Sequence, residues 1–105
     1  MMIARIWHGR TEAAKAEDYL RFLKERALPD YRRTAGNRAA YVLRRIDGPT
    51  AHFLTLSFWD SQDAIRGFAG QDIERARYYP EDRGFLLDFE PTVAHYEVFN
   101  DEGAS

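Results

Sequence analysis

The spacing of apolar residues divides the chain into strand-like and helix-like stretches. Residues 2–7 (MIARIW) form a short apolar and β-branched run closed by His8 and Gly9, which predicts a first strand. From Thr11 the period changes. Tyr19, Leu20, Phe22, Leu23 and Ala27 recur at helical spacing, with Lys15, Asp18, Arg21, Lys24 and Glu25 on the opposite side. Thr11 is the expected N-cap, Glu12 suits the positive end of the helix dipole, and Pro29 should end or kink the helix near Leu28. Residues 30–37 read as a connection, with Gly36 and Asn37 as turn residues. Two β-prone runs, 38–46 and 51–59, flank Asp47, Gly48, Pro49 and Thr50, which predicts an antiparallel hairpin. Asp60 or Ser61 caps a second helix that keeps Ala64, Ile65 and Phe68 on one face and closes at Gly70. Residues 72–79 predict a short helical segment stopped by Pro80, residues 81–89 one or two more helical turns, and residues 91–99 a last strand. The order βαββαβ is α+β and ferredoxin-like: a four-stranded antiparallel sheet with helices on one face.

An antiparallel sheet with one wet face should alternate apolar with charged residues. The third strand does not. His52, Leu54, Leu56 and Phe58 form one face, while Phe53, Thr55, Ser57 and Trp59 form another that carries no charge and two large aromatics. The last strand sets Val93, His95, Glu97 and Phe99 against Thr92, Ala94, Tyr96 and Val98, and the first sets Ile3 and Trp7 against Ala4 and Ile6. Covered faces on both sides predict a second sheet supplied by another copy, hence a homodimer. The alternative is a monomer with scattered exposed aromatics.

Composition sharpens this picture. Seven Phe, six Tyr and two Trp make 14% of 105 residues, more than one small core readily hides. The length suits a single domain, expected over residues 1–99, with residues 100–105 as a flexible polar tail. Fifteen basic against 17 acidic residues leave a net charge of -2, which argues against a broad nucleic-acid or anionic-membrane surface and for small molecules or proteins as partners. The absence of cysteine excludes disulfides, thiolate metal sites and Cys nucleophiles. No apolar run approaches the roughly 20 residues of a membrane span, and no signal pattern opens the chain, so a cytoplasmic location is expected.

The opening MIARIW, the stretch FLTLSFWDSQDAIRGFAG, the segment YYPED and the closing HYEV together resemble the antibiotic biosynthesis monooxygenase domains of the dimeric α+β barrel superfamily. The likeness covers residues 2–99, and residues 58–70, where an aromatic pair meets a capped helix, are its most specific part. The resemblance implies sheets of two protomers facing each other, with a pocket between each sheet and its helices. It also implies one of several activities: oxygenation of electron-rich polycyclic phenols without metal, heme or flavin, degradation of heme, action on signalling molecules, or none assigned. Fold alone does not choose among these. The heme-degrading branch is the least fitting, because Tyr78 stands where it has its heme-ligating His, Trp7 or His8 where it has an Asn, and Phe68 where it has a second Trp.

Three histidines, His8, His52 and His95, lie on predicted strands, and imidazole is the side chain suited to take a proton near neutrality. His95 is the expected base, with Glu97 on its strand face to orient it; the alternative is a hydrogen-bonded residue in a half-buried sheet. Arg44 and Arg45 fall on opposite faces of the second strand, so one points inward. Arg45 is assigned to stabilising a developing oxyanion, the alternative being an interface ion pair, with Glu97 among the candidate partners. Substrate contact is assigned to Trp7, His52, Trp59, Phe68, Tyr78 and Tyr79, with Phe53 and Phe85 as further aromatic lining. Core or dimer packing is the competing role for every one of these aromatics. Glu81, Asp82 and Arg83 read as a solvated loop at the pocket mouth. The histidines lack the spacing of a metal site, and no serine has a nucleophile-elbow context. The expected protein is a cofactor-free, metal-free homodimer that takes a small hydrophobic or aromatic ligand, as a monooxygenase or as a binding or sensing module.

Overall fold

The computed structural model describes residues 1–100 of the chain, so residues 101–105 of the expected tail lie outside the described residues. Four strands, β1 (Ile3–Glu12), β2 (Asn37–Asp47), β3 (Thr50–Trp59) and β4 (Ala94–Glu97), form one antiparallel sheet in the order β2-β3-β1-β4. That order, with helices on one face, is the ferredoxin-like arrangement expected from the sequence. The β2–β3 hairpin closes through Gly48 and Pro49 between the paired Asp47 and Thr50, and Gly48 takes the positive φ of 58° that the first position of such a tight turn demands.

The helical layer departs from the expectation. Thr11 is no N-cap: it is buried in β1 opposite Ala51, because β3 begins at Thr50 and offers β1 ladder partners as far as Glu12. A 3-10 turn over Ala13–Lys15, anchored by the Ala13 N–H on the Pro49 carbonyl at 2.8 Å, leads into α1 (Ala16–Phe22). Pro29 does not end the helix. The preceding turn, Leu23–Ala27, widens to π-helical geometry, which relieves the clash of the proline ring with the carbonyl four residues back, and the path continues as α2 (Leu28–Arg33). Helix α3 (Gln62–Ala69) is as expected: the Ser61 hydroxyl accepts the Ala64 N–H at 3.1 Å, and Gly70 ends it at a φ of 93°.

Residues 72–79 are not helical. Their backbone bonds sideways, Ala76 N–H to Pro91 O and Glu74 O from Val93 N–H, both at 2.9 Å. Spending residues 91–93 on that pairing shortens β4 to four residues. The expected helix over residues 81–89 is a single 3-10 turn, Pro80–Gly84. The irregular segment between α3 and β4 forms a lid along β1, where Leu86 bridges Thr11 and the Leu87 N–H bonds the Arg10 carbonyl at 2.9 Å. On the inner face of β1, a side chain on Gly9 would collide with the Trp7 ring, so the glycine makes the space in which the indole lies.

A closed aromatic chamber as candidate functional site

The inner faces of β1 and β3 send Arg5, Trp7, Phe53, Thr55, Ser57 and Trp59 toward the helices, where all six are buried. Trp59 donates its indole N–H to the Ser57 hydroxyl at 2.9 Å. Phe68 of α3 stacks on Tyr31 of α2 with centroids 4.2 Å apart, and the Tyr31 hydroxyl meets Thr55 Oγ1 at 2.9 Å. Burial pushes the Tyr31 phenol upward, as it does that of Tyr19. Between these rings remains a cavity of about 20 Å³, whose walls include Trp7, Tyr19, Tyr31, Phe68, Tyr79 and Asp82. That is room for about one water molecule. Among the described residues the Trp7 indole N–H has no acceptor.

Asp82 overturns the expected solvated loop. It is 2% exposed, accepts the Tyr19 hydroxyl at 2.8 Å on one oxygen, and accepts the Tyr79 backbone N–H at 2.7 Å on the other. Pro80 fixes the turn, and the carboxylate three residues beyond the cap position folds back on the cap N–H, turning it inward. Burial raises its pKa, and the two hydrogen bonds offset this in part. The Pro-x-Asp spacing after an aromatic pair was the available sequence signal, a cap rather than a loop. Its neighbours Glu81 and Arg83 are exposed.

Arg5 is the second residue that the strand pattern concealed. It is 1% exposed in the middle of β1. Its guanidinium donates to the carbonyls of Ile73 and Arg75 in the lid and lies 3.0 Å from His95 Nε2. Burial first, and the Arg5 charge second, hold the His95 pKa below the usual imidazole range. His95 is thus neutral near pH 7, with the Nε2 lone pair accepting from Arg5. Glu97 is exposed.

The other sequence-assigned residues divide between two faces of the sheet. Trp7, Phe68 and Tyr79 come together in the chamber wall, and Trp59 packs behind it with its centroid 6.0 Å from that of Phe68. Tyr78 packs edge-on against Trp7 and donates its hydroxyl to the Glu90 carbonyl at 2.5 Å. Phe53 and Phe85 pack around Tyr19. Arg45 and His52 are on the opposite, open face, directly paired across β2 and β3, so neither is brought together with His95. Arg44, on the helix side, pairs with Glu17 at 2.6 Å rather than with Glu97.

Arg77 lies at the border of the chamber, its guanidinium over the rings of Phe68 (4.6 Å) and Tyr79 (5.2 Å) and 3.5 Å from Asp30. On its far side is an open groove of about 660 Å³ between α2 and α3, lined by Asp30, Arg33, Thr34, Ala35, Asp63, Ala64, Gly67 and Arg77 itself.

No protein-family model matches the sequence, and no curated protein matches it either. Solved structures do. A protein from Bordetella bronchiseptica provisionally named an antibiotic biosynthesis monooxygenase aligns at a TM-score of 0.67 and 18% identity, over 94% of this chain and 98% of that one. A protein with the same provisional name from Nitrosomonas europaea gives 0.66 and 15%, over 90% and 88%. The heme-degrading protein of Mycobacterium tuberculosis, in heme-free form, gives 0.64 and 17%, over 96% and 98%. The chain therefore has the fold of the antibiotic biosynthesis monooxygenase structures. Its residues do not fit heme: the Tyr78 hydroxyl is engaged by the Glu90 carbonyl, Nε2 of His95 by Arg5, and Phe68 is stacked on Tyr31. Among the described residues no helix is long and apolar enough to cross a membrane, and no cluster of three or more metal-ligating side chains occurs.

Proposed function

We propose that the protein is a cofactor-independent monooxygenase of flat, electron-rich aromatics of the anthrone class, working as a homodimer through the open face of its sheet. The observation that carries this reading is a desolvated carboxylate, Asp82, in the wall of a water-sized aromatic chamber. Ligand pockets run to roughly 300–1,000 Å³, so the substrate enters from the α2–α3 groove as Arg77 leaves the slot between Phe68 and Tyr79. A flat ring then takes the place that the planar guanidinium holds.

Asp82 is the base in this reading. Its raised pKa brings it closer to that of the activated methylene it deprotonates, and the hydrogen bond from Tyr19 holds it in place. The substrate anion passes an electron to dioxygen, the two radicals combine to a peroxide, and loss of water leaves a carbonyl. The methylene carbon supplies all four electrons, so CH2 and O2 become C=O and H2O with no external reductant. Exclusion of water keeps the anion reactive. His95, the base expected from the sequence, has its lone pair on Arg5 and serves instead to hold Arg5 on the lid.

The test is an oxygen electrode with a hydroxyanthrone and chelator-treated protein. Oxygen uptake matched mole for mole by quinone, and lowered by about 100-fold or more in Asp82→Asn, is expected. No uptake above buffer overturns the reading. The closed state of the chamber favours one other reading, a module that binds or senses such a ligand without turnover, for which saturable binding with no oxygen uptake is the outcome.

A further inference from the structure

His52 and Arg45 remain on the open face, outside the chamber. They are directly opposite each other across β2 and β3, and Leu43 and Leu54 form the next pair on the same face. These four side chains, with His8 and Arg44, border a hollow of about 310 Å³. Its position beside the β2–β3 turn sets it at one end of the sheet, away from Leu56 and Phe58.

One wall of the hollow is the end of a hydrogen-bonded chain. Glu90 Oε2 lies 2.5 Å from His8 Nδ1, and His8 Nε2 lies 3.1 Å from His52 Nδ1. A carboxylate can only accept, so with neutral rings the donors run one way: His8 Nδ1–H to Glu90, His52 Nδ1–H to His8 Nε2. In that arrangement the atom left at the end of the chain, His52 Nε2, is an acceptor. Glu90 is itself anchored by Tyr78 on its carbonyl, so the chain is held from the lid. Two arginines flank His52 on the same face, Arg10 from β1 and Arg45 from β2. Arg10 is paired with Asp88 at 3.0 Å, while among the described residues Arg45 has only a loose exposed contact with Asp47 at 3.6 Å. Exposed pairs of that kind contribute little and are readily exchanged.

We propose that this hollow is a second ligand site, independent of the chamber chemistry, for small hydroxylated aromatic acids. The carboxylate pairs with Arg45, the ring lies on Leu43 and Leu54, and the hydroxyl donates to His52 Nε2. A cation on the β2 side, a directed acceptor on the β3 side and an apolar floor in the next cross-strand pair define a flat molecule that carries both an anion and a donor, and the volume is at the small end of ligand pockets.

The probe is 4-hydroxybenzoate, titrated into the intact protein and followed by amide chemical shifts. Saturable shifts at Leu43, Arg45, His52 and Leu54 are expected, with 4-methoxybenzoate, which cannot donate, binding several-fold more weakly. Arg45 is largely exposed, so Arg45→Gln preserves the fold and should weaken binding about tenfold. No saturation at millimolar ligand, equal affinity in Arg45→Gln, or shifts confined to Phe68 and Tyr79 would each overturn the proposal.

Discussion

Arg5 Nη1 lies 3.0 Å from His95 Nε2, and the same guanidinium holds two lid carbonyls, those of Ile73 and Arg75. One buried cation thus ties β1, β4 and the lid together. His95 has its pKa lowered by burial and then by Arg5, so the unfolded chain takes up its proton first. The stability this group contributes is complete above about pH 6.5 and is lost as pH falls through the folded pKa. Replacing Arg5 with Met removes the second cause, and the His95 titration followed by NMR should move up toward the ordinary value. The same variant leaves two lid carbonyls without donors, each costing about 1–3 kcal/mol, and proteolysis should cut residues 71–93 first. An unmoved His95 titration would deny the coupling.

The bond from Tyr19 to Asp82 also acts downward on a pKa, but here it works against burial rather than with it. It is one of two that lower the Asp82 pKa against the burial that raises it. Tyr19→Phe therefore lifts the carboxyl further and costs about 1 kcal/mol of stability. In the oxygenation assay the acid limb of the pH–rate profile should shift to higher pH while the rate recovers on the alkaline side. A uniform loss of rate at every pH would mean that Tyr19 shapes the chamber rather than tuning Asp82.

How far the sequence carried can be seen at three places. The hairpin at Gly48 and Pro49 and the cap at Ser61 were legible because a turn and a cap are local, set by residues within four positions. Thr11 was misread because its extension of β1 depends on where β3 begins, 39 residues on, which no local pattern records. Asp82 escaped because it stands between the charged Glu81 and Arg83 while its partner Tyr19 is 63 residues away, and Arg5 for a related reason. A charge inside an apolar run reads as solvent-facing unless its partners are known, and those of Arg5 are carbonyls some 70 residues distant. The aromatic surplus was real, and most of it belongs to the chamber wall and the core behind it.

Arg77 bridges the groove and the chamber, held by Phe68, Tyr79 and Asp30. Its removal should open the slot without unfolding the protein, because its side chain is 38% exposed, Asp30 keeps the Tyr79 hydroxyl as a donor, and the other bond is to one helix-end carbonyl. In Arg77→Ala a flat aromatic probe should bind faster, and tryptophan quenching by that probe should increase by roughly an order of magnitude at fixed concentration. Unchanged association kinetics would show that the ligand enters elsewhere.

Beyond the hollow at the β2–β3 turn, the open face of the sheet carries Tyr41, Leu56, Phe58, Ile6 and Tyr96, of which Tyr41 and Tyr96 are exposed, Tyr96 by 57%. A contiguous apolar strip across all four strands is more than isolated exposure accounts for, and its flatness matches a second copy of itself. Leu56 is central in it, between Ile6 and Tyr41, and its side chain makes no bond to the helical layer. Leu56→Arg puts two like charges near the two-fold axis of the proposed dimer while leaving the chamber side of β3 intact. Light scattering should give a mass of twice 12.2 kDa for the native chain and a single protomer for the variant, with both retaining the same far-UV spectrum. A native mass of one protomer at micromolar concentration would remove the dimer and leave the strip as an open surface.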